Sequence, residues 1–394
     1  LGLQIYHIVS FPQALCNYFA EKMRKPAHIA LFASWYPTDP EALNGNFCRA
    51  FALLLAEKYR VSVVHVEMDP RANQTEISTK ADGNMQVYLA RVPRRSGIFF
   101  APLNQWRWLQ AWLNLYKKAV QDSGEPAWIH AEVIWKAGLA AWWIGRQHRI
   151  PFVIREHWTG YYPADPQLYG WKALLHRFVL RRAKAVAGVS KPLAAALETW
   201  GATSGAGVVP NAVHIPNNLS DTLKVPHSFV HVTNFREEQK QTRKVIEIFL
   251  QFRDKHPDAL LHIVGRGGES ESAHWPVNAG LHFTGVISRD DLSQLYAKAS
   301  ALIAYSRFET FAMSLAEALV CGTPVIYTAC GGPESYVKSG IGLCVDADNP
   351  ATLLAAMQSV SESEPDRKAI AAEARIMFDP QHLLETYAHW TKDL

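Results

Sequence analysis

The stretch ALIAYSRFETFAMSLAEALVCGTPVIYT, residues 301–328, decides the fold class. Its opening run ALIAYS (301–306) is short and apolar, the pattern of a buried strand. A helical, Ala- and Leu-rich segment over 312–321 follows, and Gly322-Thr323-Pro324 ends it. A second apolar run, PVIYT (324–328), begins at once. A strand, a crossover helix and a strand in so few residues predict two parallel strands of one sheet.

Two carboxylates inside this unit have no local partner. Glu309 precedes the helix and Glu317 stands within it, while Lys and Arg are absent between Phe308 and Ile326. So apolar a helix is built for burial. A helix start offers unpaired N–H groups and partial positive charge, which suit phosphate. Carboxylates instead accept hydrogen bonds from sugar hydroxyls. The two together describe a ligand with both parts, a nucleotide sugar.

Working outward, the same alternation occurs twice. Strands are expected at HIALFA (28–33), VSVVHV (61–66), VYLARV (87–92), WIHAEV (128–133), FVIREH (152–157) and AVAGVS (185–190), with helices near 46–58, 105–122, 136–148, 169–183 and 192–200. A second set of strands falls at FVHVTN (229–234), LLHIVG (260–265), LHFTG (281–285), 301–306, 324–328 and GLCVD (342–346). Its helices lie near 240–256, 289–299, 312–321, 350–359 and 367–377. The reading is α/β, two doubly wound parallel-sheet domains facing a cleft. The Pro- and Asn-rich run VPNAVHIPNNLSDTLKVP divides them. The expected organisation is an extension over 1–22, domains over 23–215 and 216–378, and a helix over 379–394 that crosses back to the first domain.

Composition excludes several classes. About half of the 394 residues are apolar (48%), enough for a large core. A net charge of +4 is too mild to argue for nucleic acid. The five cysteines, odd in number and without CxxC spacing, suit reduced thiols in a cytoplasm rather than disulfides or zinc. No run of 18 apolar residues suggests a membrane span. Residues 1–20 carry no charged side chain, so they lack the basic lead of a signal peptide.

At Glu309, seven intervening residues and Glu317, followed by ALVCGTPVI, the chain resembles the retaining GT-B glycosyltransferases of family 4. That fold has two Rossmann-like domains. The resemblance implies that Glu309 contacts the donor sugar and Glu317 the nucleotide ribose. The family often has Gly-Phe-Gly after the first glutamate, where this chain has Thr310, Phe311 and Ala312. SWYPTDPEALNGNF (34–47) is similar to the first strand-to-helix loop, with Gly45 beside diphosphate and acceptor. REHWTGYY (155–162) supplies the strand-end histidine, His157. VSKPLAAAL (189–197) and VVPNAVH (208–214) resemble the family's helix start and linker, but Ala212 and His214 replace its Gly and Asp. VTNFREEQK (232–240) lies where cations neutralise the diphosphate. Asn234 takes the usual arginine position, so Arg236 and Lys240 are the candidates, against a leaving group that gains charge as the bond breaks. IVGRGGE (263–269) lacks GxGxxG spacing; with TGVISRD (284–290) it implies base contacts at Gly265 and Val286. Gly331, Gly332 and Glu334 match a further Gly-rich turn.

The resemblance implies a retaining enzyme that moves a hexosyl unit from a nucleotide sugar, UDP by family frequency, to a saccharide or lipid-linked acceptor in envelope or polysaccharide synthesis. A nucleotide-sugar 2-epimerase and a non-catalytic nucleotide-sugar-binding protein stand as alternatives. Asp346-Ala347-Asp348 spells a metal-binding DxD, but precedes a helix where such residues cap, so no metal or other cofactor is expected. Residues 90–118 interleave Arg91, Arg94, Arg95, Arg107, Lys117 and Lys118 with Phe99, Phe100, Trp106, Trp108 and Trp112. This pattern suits the headgroup layer of an anionic membrane. A cytoplasmic protein touching the inner face of the membrane is therefore expected.

Overall fold

The computed structural model describes residues 26–38, 45–203, 205–216, 219, 224–276 and 279–394. The 1–22 segment and Asn44 lie outside them. The first sheet has strands β1 (His28–Ala33), β2 (Arg60–Asp69), β3 (Glu76–Asp82), β4 (Met85–Pro93), β5 (Trp128–Glu132), β6 (Phe152–Glu156), β7 (Ala185–Gly188) and β8 (Ala206–Val208). Their spatial order is β3-β4-β2-β1-β5-β6-β7-β8, with β3 antiparallel to β4 and every other pair parallel. The second sheet comprises β9 (Ser228–Val232), β10 (Leu260–Val264), β11 (Leu281–Gly285), β12 (Ala301–Ala304), β13 (Val325–Thr328) and β14 (Gly342–Val345). It is wholly parallel, in the order β11-β10-β9-β12-β13-β14.

Both sheets reverse direction of winding once, between β1 and β5 and between β9 and β12. Such reversals open a crevice at the strand carboxyl ends, where ligands bind. The strands that flank them, β1, β5, β9 and β12, are almost wholly buried. That explains why they read as continuous apolar runs rather than alternating ones.

Helices cover both faces of the first sheet. On one side lie α1 (Asn46–Leu55) and, from the far end of the chain, α13 (Pro380–Trp390). Leu383, Leu384 and Tyr387 of α13 pack with Phe51 and Leu55 in one core cluster. Burial of each such side chain contributes about 1.5–3 kcal/mol, and α13 adds polar bonds, since Trp128 Nε1 donates to Tyr387 Oη at 3.1 Å. On the other side lie α2 (Ala101–Ser123), α3 (Leu139–His148), α4 (Gly170–Leu180) and α5 (Lys191–Trp200). The second domain carries α6 (Glu237–Lys240), α7 (Thr242–Arg253), α8 (Gly268–Ser272), α9 (Arg289–Lys298), α10 (Met313–Val320), α11 (Pro350–Glu362) and α12 (Arg367–Met377).

Several details differ from the sequence reading, among them the short strand β8 and the short helix α8, neither of which was expected. The exposed β3 was not expected: an edge strand facing water on both sides carries no apolar signal. The helix expected from 136 starts at Leu139, after an irregular turn over Ile134–Gly138. The helix expected over 240–256 is broken at Gln241, whose φ is +47°. Of the aromatic residues assigned to a membrane face, Trp108 and Trp112 instead pack into the core, whereas Phe99, Phe100 and Trp106 are exposed. In α2 the spacing of four from 108 to 112 puts both indoles on the sheet-facing side.

Candidate functional site

The second domain's crevice is built from loops that leave the two reversal strands. After β9 the chain makes α6, which ends at Lys240; after β12 it turns through Ser306 to Glu309. Lys240 Nζ donates to Glu309 Oε1 at 2.6 Å, and Ser306 Oγ donates to the same oxygen at 3.1 Å. Both side chains are mostly buried, so the pair is held in place. Neither bond uses Oε2.

Four residues on, α10 begins. Ala312 before it has φ +59°, a left-handed conformation that costs a residue with a Cβ roughly 1–2 kcal/mol. The hydroxyl of Tyr336 donates to the carbonyls of Phe311 and Ala312 at 2.6 and 3.1 Å, which fixes the turn. Phe311 is buried against the Tyr336 ring, and Thr310 is half-buried. This turn leaves the first N–H groups of α10 without intrahelical partners, as at every helix start. Glu317 lies farther along, half-buried, with no hydrogen bond to a described residue. Burial pushes its carboxyl up to about 7, and the charge of Arg289 opposes that rise.

The remaining expected donor-side residues are arranged less simply. Arg236 Nη2 donates to Asp165 Oδ1 of the first domain at 3.2 Å, and its guanidinium lies 5.3 Å from the Phe308 ring centroid. It clasps the two domains together rather than standing free for a diphosphate. Burial favours protonated Asp165, but bonds from Thr159 and Gln167 and the Arg236 charge outweigh it and hold its pKa below the ordinary value. Gly265 must be glycine, since a Cβ there would stand 1.8 Å from the Thr233 carbonyl oxygen. Its place is where the ends of β9 and β10 close on each other. Val286 is 45% exposed after the edge strand β11, three strand spacings, roughly 14 Å, from β12. No contact joins it to Lys240 or Glu309 among the described residues.

The first domain faces this site with a buried charge network. Glu132, at the end of β5, is fully buried. Its Oε1 accepts from Arg155 Nη1 at 2.8 Å and His130 Nε2 at 3.0 Å; its Oε2 bonds His157 Nε2. Arg155 spends its other donors on the carbonyls of Val209 and Pro210 and on Asn211 Oδ1, each within 3.0 Å. Burial alone would protonate Glu132, but Arg155 and the two histidines keep it ionised. His157 is held neutral, with its pKa lowered to about 4 by burial and by Arg155 against the pull of Glu132. Its Nε2–H therefore points at Glu132, and the lone pair resides on Nδ1. Phe47 covers the ring at 4.6 Å.

The neighbouring Glu156 accepts from the N–H groups of Ile134, His157 and Trp158 and from Tyr161 Oη. It ties down the turn that carries His157, and its own carboxyl is raised to about 7 by burial. Gly45, at the start of α1, has φ +82°, and a Cβ would lie 2.4 Å from the Trp35–Tyr36 peptide. Across the cleft, Tyr162 Oη donates to the Gly331 carbonyl at 3.1 Å, while Glu334 accepts from Gly331 N at 2.9 Å.

The ligand atoms of Cys48, Glu132 and His157 lie within 4.8 Å of one another, but they do not fit a metal. Both Glu132 oxygens are engaged, burial raises the Cys48 thiol well above its ordinary value, and Arg155 would repel a cation. The DxD sequence is a turn: Asp346 Oδ1 accepts from Asp348 N at 2.9 Å, and Asp348 lies 3.5 Å from Arg307. Sequence reasoning singled out His157, Lys240, Arg236 and Glu309 but missed Glu132, Arg155, Asp165 and Tyr162. An ionisable pair inside apolar strand runs, WIHAEV and FVIREH, was the available signal.

Two family profiles match the chain. Residues 47–212 match the glycosyl transferase 4-like domain, and residues 224–377 match glycosyl transferases group 1. A D-inositol 3-phosphate glycosyltransferase of Nocardioides sp. is 31% identical over 122 residues, 30% of this chain and 26% of that protein. An N-acetyl-alpha-D-glucosaminyl L-malate synthase of Bacillus anthracis is 30% identical over 155 residues, 38% of this chain and 39% of that protein. The matched stretches thus span only about a quarter to two fifths of these relatives. Among solved structures, Anabaena Alr3699/HepE in complex with UDP and glucose superposes with a TM-score of 0.68 at 18% identity, covering 93% of this chain and all (100%) of that one. The OtsA apo structure gives 0.71 at 10% identity, covering 93% and 100%. Such low identities speak to the fold, which is GT-B. With the two profiles meeting across the linker and together taking in most of its length, the chain belongs to the group 1 glycosyl transferases.

Proposed function

We propose that the protein transfers a hexosyl unit from a nucleotide sugar to a hydroxyl of a saccharide or lipid-linked acceptor, with retention of configuration. The observation that carries this reading is the Lys240–Glu309 pair beside the start of α10, at the second sheet's reversal. Glu309 Oε2 accepts from donor-sugar hydroxyls, and Glu317 accepts from the ribose. Lys240 and the first N–H groups of α10 stabilise the diphosphate as it leaves. His157, neutral and anchored through Nε2, offers Nδ1 to a hydroxyl near the reacting carbon. Arg236 reaches the diphosphate only by loosening its hold on Asp165. No step in this scheme uses a metal, and EDTA is expected to leave activity intact. Similar folds crystallised with UDP favour a uridine nucleotide.

Peripheral contact with the inner face of an anionic membrane belongs to the same reading. Phe99, Leu103 and Trp106 near the start of α2, and Tyr169, Trp171 and Leu174 around that of α4, are exposed. Both starts follow strand carboxyl ends, so the two aromatic groups flank the cleft, with Arg94, Arg95 and Lys172 among them. No helix among the described residues is long and apolar enough to cross a membrane. Flotation with anionic liposomes, lost in high salt and in Arg94→Glu/Arg95→Glu, is the expected result.

Thermal-shift screening against UDP-, GDP- and ADP-sugars, followed by assay of nucleotide release with an acceptor panel, tests the transferase. Stabilisation by a nucleotide sugar and acceptor-dependent release are expected. Sugar isomerisation without acceptor, or binding without turnover, would overturn the reading.

A further inference from the structure

The first sheet's reversal holds a strained turn that the donor reading leaves unused. Lys136, just past β5, has φ +71° and ψ −73°, a γ-turn geometry that residues other than glycine rarely adopt. Such a turn ordinarily closes by a bond between its flanking residues. Here the buried Ser34 hydroxyl stands between them, accepting from Ala137 N at 3.1 Å and donating to the Trp135 carbonyl. Ser34 follows β1 and Trp135 follows β5, so the hydroxyl pins the two sides of the reversal together. Val133, also at positive φ (+74°), adds a second strained position to the same segment.

What the turn achieves is placement of Lys136 in a cavity of about 380 Å³, lined also by Met68, Arg94, Trp108, Trp135 and Leu139. Neither Lys136 nor Arg94 has an ion-pair partner among the described residues. Burial lowers the Lys136 pKa, and the Arg94 charge lowers it further. Glu67 acts in the opposite sense; its Oε2 lies 3.6 Å from Arg91, an ion pair beyond hydrogen-bond distance. Two cations that repel each other meet in a cavity whose other walls are apolar side chains and the amides of Asn104 and Gln105. An oxyanion joined to an apolar chain suits both the cations and the apolar part of the walls.

We propose that this cavity binds the phosphoryl group of an amphiphilic acceptor. Lys136 and Arg94 hold its oxygens, while Met68, Trp108 and Leu139 pack against the adjoining methylenes. The assignment rests on the transferase reading, because it makes the cavity the acceptor's place. It also gives the strain a use: the turn holds an ammonium where a relaxed backbone would not.

Calorimetric titration of the full chain with octyl phosphate, octanol and glucose 1-phosphate, all below micelle-forming concentrations, tests the proposal. Octyl phosphate is expected to bind at least about tenfold tighter than octanol, the scale of a charge-assisted hydrogen bond. Lys136→Met and Arg94→Met are each expected to remove about tenfold of that preference and leave octanol binding unchanged. Lys136→Gly relaxes the turn, so it should raise the Tm while abolishing the preference, a pairing that a purely structural lysine would not produce. No preference for octyl phosphate in the wild type, or a preference that survives both Met variants, overturns the proposal. Glucose 1-phosphate binding as tightly as octyl phosphate overturns the amphiphilic part. UDP binding, followed by thermal shift on the same samples, separates the two readings. Its retention in every variant confines a loss to this cavity, and its absence from the wild type sinks the donor site instead.

Discussion

The two sheet reversals meet across one cleft, yet they are built on opposite principles. The second domain's is sparse among the described residues: the Lys240–Glu309 pair, the start of α10 and a half-buried glutamate. The first domain's is crowded, with Glu132, Arg155, His130 and His157 bonded together in the interior and Tyr387 Oη 3.1 Å from His130 Nδ1. A polar centre that must release its ligand gains from few, partly open groups. One that must hold a single imidazole in one tautomer gains from many closed bonds. The difference predicts that damage to the bonds that hold His157 is first structural, whereas damage to the second centre is catalytic.

Arg155→Met is the severest way to break that contrast. It leaves Glu132 charged and unpaired in the interior, a loss of about 3–5 kcal/mol that urea unfolding should register. The double variant Glu132→Leu/Arg155→Met should recover part of it, since no lone charge remains. Next in size, Lys240→Ala and Glu309→Ala should each lower kcat/KM about 10²-fold or more, with unfolding midpoints close to wild type. Near-wild-type activity in both would remove the donor site from this crevice.

A subtler test uses Glu317. Its carboxyl is raised to about 7 in the folded chain, above the ordinary 4.5, so the native state binds the extra proton between those values. Its contribution to stability is therefore greatest below pH 4.5 and is lost as pH rises towards 7. A ribose that donates to the carboxylate needs it ionised, so nucleotide affinity should rise about tenfold from pH 6 to pH 8. Glu317→Gln should flatten that rise in a calorimetric pH series. The smallest effect expected is Ala312→Gly, which relieves a left-handed alanine. It should change stability by no more than about 1 kcal/mol, the strain relieved being offset by a freer unfolded chain.

The same contrast explains what could be read from the chain beforehand. Glu309, Ala312 and Glu317 sit within nine residues on one turn and helix, so local spacing and capping logic found them. Lys240 came from the resemblance of VTNFREEQK to the family's cation-bearing segment. Glu132 and Arg155 are joined across neighbouring strands, and Asn211 and Tyr387 reach them from the linker and from α13. Nothing local in WIHAEV says that its glutamate will meet an arginine 23 positions later. The strands and most helices were legible because burial on both faces writes long apolar runs. The edge strand β3 and the turn at Lys136 were not, because exposure erases the pattern and strain has no compositional mark. Arg236 was identified as a cation, but only the folded chain shows that Asp165 claims it.

Helix α13 also sets a schedule. Domains usually fold one by one as they leave the ribosome, at about 5–20 residues per second. Here the first domain's face over α1 stays open until Leu383, Leu384 and Tyr387 have been made, with the whole second domain translated in between. At those speeds the wait is roughly 10–40 s. Through it the nascent first domain exposes Phe51, Leu55 and Trp128 and leaves His130 without its tyrosine. A chaperone that shields this face during synthesis would meet its client there, and the arrival of α13 would displace it.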